Sequence, residues 1–162
     1  MIVFPYKKAV PFEVGFSVPD GYVIGKSNNG WMETGTFYEY IVIGLYPELV
    51  NKGVKFPVVI FLDGHKSHIS LELHDFCNNV GIHMYCFVPH ASHIMQPCDV
   101  GIFGPLKKEW RLAMSNYAQT TTKIITKKNF APIFDIAYKK SQNCTTIQNA
   151  FKRSGLYPFD AD

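Results

Sequence analysis

Two aspartates lie at positions where carboxylates can do chemistry. Asp63 directly follows the apolar run PVVIFL at 57–62, and Asp99 lies further on, between Pro97 and Gly101. In open α/β sheets, functional groups gather at the carboxyl ends of the strands. Carboxylates presented there can share two Mg²⁺ ions roughly 3.5–4 Å apart, which activate a water molecule and stabilise a departing oxyanion. Asp63 and Asp99 are therefore candidate ligands for Mg²⁺ or Mn²⁺ and candidate catalytic residues for phosphodiester cleavage.

Each aspartate also has a purely structural interpretation. An aspartate after a strand often forms a turn, and an aspartate before a helix often caps it. Asp99 precedes a basic segment that is expected to be helical, so a cap suits it as well as a metal site does. The two residues alone leave both interpretations open.

A strand–helix–strand unit is predicted to position Asp63. The apolar runs at 57–62 and 82–88 are typical of strands that are buried on both faces of a sheet. A helix from about Ser70 to Gly81 is predicted between them by an apolar stripe at helical spacing. The stripe consists of Leu73, Phe76, Cys77 and Val80. Together these elements predict an α/β fold.

Further elements are predicted before this unit. Strands are expected within 1–10 and at 22–25. A helix is expected to begin near Thr36, because Thr36 and Glu39 have the spacing of a capping box. Pro47 is expected to lie at or just beyond the end of that helix, since proline is unfavourable inside one.

The second half of the chain is predicted to be helical. Apolar stripes at helical spacing fall at 105–117, 129–140 and 145–154. Thr145 and Gln148 have the spacing of a capping box for the last of these helices. We therefore expect one domain, with an α/β part at 1–118 and a helical part at 119–162.

The composition suits a globular domain with a hydrophobic core. No apolar run approaches the ~18 residues that are needed to cross a bilayer, and we expect no secretion signal at the N-terminus. The four cysteines have no CxxC spacing, so we expect reduced core thiols. Trp31 and Trp110 are expected to anchor the core rather than to stack on bases.

The distribution of charge favours a polyanionic partner. Residues 1–99 contain six Lys or Arg and nine Asp or Glu, whereas residues 100–162 contain ten and four. Lys107, Lys108 and Arg111 fall away from the apolar stripe of their predicted helix, where they can bind DNA phosphates. The alternative is an ordinary solvated helix face.

Four sequence motifs resemble those of the DDE superfamily endonucleases of the pogo, Tigger and jerky transposase group, which are relatives of the mariner transposases. In chain order they are GWM at 30–32, LDGHKSH at 62–68, PHASHIMQPCDVGIFGPLK at 89–107 and AFKRSGLYPF at 150–159. One such motif would be weak, but four in the same order are specific.

The resemblance implies an RNase H-like fold, in which helices flank a mixed sheet, here lacking its first strands. It implies strand cleavage and transfer on DNA with Mg²⁺ or Mn²⁺ and three acidic residues. The second and third of these map onto Asp63 and Asp99. Asp20 is the only aspartate before Asp63 and lies in a turn, so the first has no counterpart. We therefore expect 1–118 to be a partial catalytic core that is inactive or severely impaired.

The resemblance also implies partners and a location. The expected partner is DNA, either transposon ends or genomic DNA, and the expected location is the nucleus. A homodimer is an option for the full-length protein. Two other functions stay open, namely a co-opted, non-catalytic protein that binds nucleic acid or another partner, and an inactive transposon fragment.

Several polar residues near the aspartates are expected to support them. His65, His68, His93 and Gln96 are predicted to form hydrogen bonds with the carboxylates or with the backbone beside them. The two HxxH pairs, which start at His65 and His90, also make a zinc site conceivable. A third alternative is that the imidazoles only satisfy loop carbonyls.

Overall fold

The computed structural model describes residues 1–159. It divides into two compact units, of which the first comprises 1–15 and 20–89 and the second comprises 16–19 and the chain from 90 onward. The predicted division after residue 118 differs from this one, because a single helix runs through that position. The last three residues of the predicted 119–162 part lie outside the described residues.

Four strands lie in the first unit, and they form two parallel pairs. Strands β1 (Ile2–Pro5) and β2 (Ile24–Ser27) form one pair, and β3 (Val58–Leu62) and β4 (Ile82–Cys86) form the other. A parallel pair needs a crossover connection, and helices supply it here. The predicted α/β class is confirmed. The described residues pair their strands as two short sheets rather than as one mixed sheet.

Along the chain, the helices of the first unit alternate with these strands. They are α1 (Phe12–Phe16), whose last residue falls in the second unit, α2 (Thr34–Glu39), α3 (Tyr46–Asn51) and α4 (Leu71–Val80). A π-helical turn at Tyr40–Leu45 joins α2 to α3, and a short 3₁₀ segment at Lys66–His68 precedes α4.

One buried cluster holds this unit together. It consists of Phe37, Ile41, Leu62, Leu73, Cys77 and Ile82. The cluster packs the β3–β4 pair against α4, α2 and the π-helical turn that follows α2, because each of these elements contributes a side chain to it. Burial raises the pKa of the Cys77 thiol, so the side chain stays neutral in the core, as we expected of a reduced core thiol.

The expectation that β3 and β4 are buried on both faces is wrong. Val59 on β3 is 54% exposed and Tyr85 on β4 is 53% exposed. Successive side chains of a strand point to opposite faces, and in this unit the alternate residues Leu62 and Ile82 enter the core. Cys86 is also exposed, so it is not the core thiol that its apolar surroundings suggested.

The helix that begins near Thr36 differs from its prediction at both ends. Its N-cap is Glu33, which makes no side-chain cap. Thr36 instead donates its hydroxyl hydrogen to the carbonyl oxygen of Lys26 at 3.2 Å, so a tertiary contact replaces the predicted capping box. Pro47 does not end the helix. It lies in the first turn of α3, where a missing N–H is tolerated.

Two other helices show how local hydrogen bonds and backbone conformation set the helix ends. Ser70 caps α4 by accepting a hydrogen bond from the Leu73 N–H at 3.2 Å, and Gly81 ends it in the left-handed conformation, both at the predicted positions. The last helix is capped by Asn143, which accepts from the Thr146 N–H at 2.8 Å. The predicted cap at Thr145 is therefore wrong by two residues.

The second unit is helical. Its helices are α5 (Ser92–Met95), α6 (Phe103–Thr120), α7 (Phe130–Ser141) and α8 (Cys144–Arg153). A π-helical turn at Cys98–Ile102 leads into α6. Helices α6 and α7 pack through Ala113, Ile133 and Ala137.

The two tryptophans have different environments. Trp110 packs edge-on against Phe130, with ring centroids 5.4 Å apart, and it joins the apolar cluster of α6 and α7, as predicted. Trp31 is 74% exposed, so its predicted role as a core anchor is wrong. The motif that contains Trp31 follows a turn, in which Asn29 accepts a hydrogen bond from the Trp31 N–H.

A search of residues 1–159 finds no helix with the length and apolar character needed to cross a membrane.

The Gly81→Ala variant tests the end of α4. Gly81 has a φ of 77°, and an added methyl carbon would lie 3.3 Å from Cβ of Phe56. We expect the free energy of unfolding, measured by urea denaturation, to fall by about 2–3 kcal/mol. Gly53→Ala is the matched control, because its φ is 65° but nothing lies within 4 Å. The control should lose about 1–2 kcal/mol, and equal losses in the two variants would contradict the account.

Candidate active site

Asp63 leaves the sheet at a point that the core fixes. It follows Leu62, the last residue of β3, whose side chain is buried and whose carbonyl oxygen accepts a hydrogen bond from the Phe87 N–H at 2.8 Å. The Asp63 side chain is 41% exposed. The backbone of Asp63 is therefore held at the end of β3, while its carboxylate is open to solvent.

Both contacts of the Asp63 carboxylate fall on one oxygen. Oδ1 accepts a hydrogen bond from the His65 N–H at 3.1 Å and lies 2.8 Å from Nδ1 of His68. The first contact is the turn-forming interaction of an aspartate with the backbone two residues on. The structural interpretation of Asp63 therefore holds for Oδ1. Among the described residues, Oδ2 receives no hydrogen bond, which leaves it available to a ligand.

The contact between Asp63 and His68 is a close approach without hydrogen-bond geometry. Oδ1 of Asp63 lies 2.8 Å from Nδ1 of His68, which is buried and has no hydrogen-bond partner among the described residues. The His68 ring packs against the buried ring of Phe37, with centroids 4.5 Å apart. The imidazole thus rests on the core and faces the carboxylate, which it attracts whenever it is protonated.

The ring of His65 does not contact Asp63. Its Nδ1 is 2.7 Å from the hydroxyl oxygen of Ser67, which is buried, and only its backbone N–H reaches the carboxylate. Of the two histidines predicted to support Asp63, His68 approaches it through its side chain and His65 through its main chain.

Asp99 lies in the second unit, on the π-helical turn that precedes α6. Its side chain is exposed, and its N–H donates to the carbonyl oxygen of Gln96 at 3.0 Å. Gln96 therefore supports this segment through its backbone. His93 is exposed on α5 and makes no polar side-chain contact among the described residues.

The cap interpretation of Asp99 finds no support in the helix that follows. The N-cap position of α6 is Ile102, and no side chain caps it. The carboxylate is thus exposed without a structural partner in the described part of its unit. Its convergence with Asp63 stays a prediction, since the two aspartates belong to different units.

Close packing against α8 holds the turn that carries Asp99. A methyl carbon added to Gly101 would lie 2.7 Å from Cβ and 2.8 Å from Cα of Ala150, which is closer than real side chains approach. Only glycine lets the turn lie this close to α8. Gly101 and Ala150 both belong to the motifs quoted above, but their sequence separation gave no sign of this contact.

Cys98 stands beside Asp99 and stays uncharged. Burial raises the pKa of its thiol, and the neighbouring negative charge of Asp99 raises it further. A neutral thiol adds no second negative charge next to the aspartate. The Asp99 carboxylate is therefore the group of this turn that suits a hard cation such as Mg²⁺.

The donor chemistry fits a hard divalent cation. Mg²⁺ is commonly bound by one or two carboxylates and keeps several waters, and both aspartates present exposed oxygens. Within residues 1–159 there is no group of three or more His, Cys, Asp or Glu side chains that could hold a metal ion. The zinc alternative therefore has no support in the histidine pairs.

The predicted basic residues lie on the solvent side of α6. Lys107, Lys108 and Arg111 are all exposed. Lys107 and Arg111 are one helical turn apart, so they project from the same side of the helix. Trp110 and Ala113 instead belong to the apolar cluster through which α6 packs against α7. The start of α6 therefore presents three cationic side chains to solvent.

A cavity of about 390 Å³ in the first unit was not predicted. Its lining is mainly apolar and includes Leu62, Met84 and the ring of His68. The sequence offered no signal for it, because the lining residues come from separate elements. The histidine that approaches Asp63 is thus also part of the lining of this cavity.

Comparisons with known proteins identify the family. The chain matches the family described as "DDE superfamily endonuclease" over residues 1–154, and it belongs to that family. It is similar to a protein of Cochliobolus lunatus described as "MFS-type transporter clz9", with 31% identity over 146 residues. The match covers 90% of this chain but 16% of that protein, so the chain spans less than a fifth of its length. No solved structure matches the chain.

The Gly101→Ala variant tests the packing behind Asp99. The added methyl group must displace the backbone of Ala150, and we expect the free energy of unfolding to fall by about 1–3 kcal/mol in urea denaturation. Gly104→Ala, at the start of α6, is the control because nothing lies within 4 Å of the added carbon. The control should be neutral or stabilising by up to about 1 kcal/mol. Equal stability of the two variants would show that the close contact is absent.

Proposed function

We propose that this chain is the DNA-binding nuclease domain of a protein of the pogo, Tigger and jerky transposase type, with an RNase H-like arrangement of its elements. Its ancestral reaction is metal-dependent cleavage and transfer of DNA strands. The observation that carries this proposal is the Asp63 carboxylate, anchored at the end of β3 with one oxygen free, in a chain of the DDE superfamily endonuclease family.

Each polar group has a role in this proposal. Asp63 and Asp99 hold Mg²⁺ or Mn²⁺ through their exposed oxygens. Bound there, the metal would activate the attacking water and stabilise the departing oxyanion. His68 restrains Asp63 through Oδ1 and leaves Oδ2 for the metal ion. The cations of α6 hold DNA phosphates near Asp99, and they fix the position of the strand rather than read its sequence.

The remaining proposals follow from the family. We propose transposon ends or genomic DNA as the partner, the nucleus as the location and a homodimer as the state of the full-length protein. The motif resemblance implies three acidic residues, and residues 1–162 supply two of them, Asp63 and Asp99. We accordingly expect little or no cleavage from residues 1–162 alone. The transport activity in the relative's name is not proposed for this chain, because the match covers a small part of that protein.

A non-catalytic DNA-binding role is the second candidate. It is favoured by the lack of a three-ligand metal cluster among the described residues. A co-opted domain of this kind would keep the cations of α6 and would not need the aspartates. The two candidates therefore differ in whether metal binding depends on Asp63 and Asp99.

Calorimetric titration with Mn²⁺ tests the metal site. If Asp63 and Asp99 hold the same ion, either Asp63→Asn or Asp99→Asn should weaken binding by at least about tenfold, which corresponds to ~1.4 kcal/mol. The double variant should lose little more, because the first substitution already breaks the shared site. Asp75→Asn, on the exposed side of α4, is the control and should bind as the unchanged chain does.

The pattern of losses decides between the candidates. Unchanged Mn²⁺ affinity in all variants would reject the metal site and leave the non-catalytic candidate. Losses that add up in the double variant would mean two separate weak sites instead of one shared site.

DNA binding tests the α6 surface. Replacing Lys107, Lys108 and Arg111 by Gln should weaken binding to any duplex. It should also reduce the slope of log affinity against log salt by about 0.9 for each lost phosphate contact. Lys52→Gln is a control, since this exposed lysine pairs with Glu48 in the first unit. An unchanged salt slope in the triple variant would leave α6 as an ordinary solvated helix.

A further inference from the structure

The loop between α6 and α7, residues 121–129, is an ordered surface feature that the roles assigned above do not use. It starts where α6 ends, with the Thr121 N–H bonded to the carbonyl oxygen of Tyr117 at 3.0 Å. It ends at Asn129, directly before α7. Its sequence, TTKIITKKN, combines three lysines with two isoleucines.

Asn129 holds the loop in one shape. Its Oδ1 accepts from the Thr126 N–H at 2.6 Å, and its Nδ2 donates to the Tyr117 hydroxyl at 2.7 Å and to the Ile124 carbonyl oxygen at 3.1 Å. The amide thus ties two points of the loop to the end of α6. A loop fixed in this way loses less conformational entropy when it binds a partner.

The two isoleucines at the tip have opposite environments. Ile125 packs against the apolar cluster of α6 and α7, whereas the adjacent Ile124 is 80% exposed. With Ile125 partly buried against the cluster and Asn129 bonded to the Ile124 carbonyl, Ile124 is held outward. A partner that removes this side chain from water would gain the free energy of burying it.

The charge around Ile124 indicates the chemistry of that partner. Lys123, Lys127 and Lys128 flank it and are exposed. The sequence from 110 to 134 contains no Asp or Glu. A rigid apolar tip between cations complements a polyanion with an apolar interior, which describes stacked base pairs between two phosphate backbones.

We propose that the loop 121–129 is a second contact with duplex DNA, in which Ile124 inserts as a wedge between base pairs from the minor groove. The three lysines bind the phosphates on either side of the insertion. The inference rests on the proposed function, because it assumes that the chain binds DNA. It adds a bend in the DNA to that function, since inserted apolar side chains unstack a base step and kink the duplex by roughly 20–90°.

The test uses residues 1–162 and a short duplex of about 30 base pairs with a fluorescence donor and acceptor at its two ends. Binding of the unchanged chain should raise energy transfer, because a kink brings the ends together. Ile124→Ser should abolish that rise and weaken binding roughly tenfold, while the salt slope stays the same. Ile136→Ser is the matched control, because Ile136 is also largely exposed in this unit but lies on α7.

The lysines are tested separately. Replacing Lys123, Lys127 and Lys128 by Gln should reduce the salt slope by up to about 2.7. The wedge and the phosphate contacts are thus distinguished by bend and by salt dependence. Because the exposed Ile124 contributes nothing to the core, its substitution leaves folding intact, which a matching circular dichroism melt confirms.

Three outcomes would overturn the inference. If the unchanged chain binds DNA without bending it, or if Ile124→Ser still bends it, the wedge is absent while the DNA-binding proposal stands. If the unchanged chain does not bind the duplex at low salt, both proposals fail. Binding to phosphatidylserine–phosphatidylcholine vesicles in preference to the duplex would assign the loop to a membrane surface instead.

Discussion

The burial of Leu62 is the constraint on which the first unit depends. This residue ends β3 inside the cluster formed with Phe37, Leu73 and Ile82. Because Leu62 cannot shift without opening the core, Asp63 leaves the sheet at a fixed point. The same cluster supplies the ring of Phe37 on which His68 rests. One set of apolar contacts therefore fixes both Asp63 and His68 at the candidate site.

A different packing arrangement supports the second aspartate. Asp99 has no strand beneath it, and its position depends on a helical turn pressed against α8 at Gly101 and Ala150. Helices α6 and α7 pack together to form the core of this unit, and the groups that could bind a ligand lie on its surface. Cations project from α6, and Ile124 projects from a loop that Asn129 holds. The exposed groups are thus presented by rigid elements, which suits an extended partner such as duplex DNA.

Periodicity predicted the elements well where packing and sequence agree. The α4 helix was predictable because its apolar stripe, the Ser70 cap and Gly81 all indicate the same bounds. The capping box at Thr36 failed because its hydroxyl bonds to Lys26 on a strand, a contact between distant residues. The exposure of Val59 and Trp31 could not be predicted either, because the amino-acid type gives an average burial and not the packing at one position.

The candidate site likewise has features that local sequence predicts and features that only tertiary packing determines. The position of Asp63 after a strand was predictable, since an apolar run that ends directly before it is a local signal. The contact of its Oδ1 with His68, the cavity that His68 lines and the close approach of Gly101 depend on tertiary packing. The proposed binding of a common cation by Asp63 and Asp99 is decided by a crystal structure with Mn²⁺, which should contain one anomalous peak within roughly 2–2.5 Å of both carboxylates. Carboxylates separated by more than about 12 Å, with no shared peak, would contradict it.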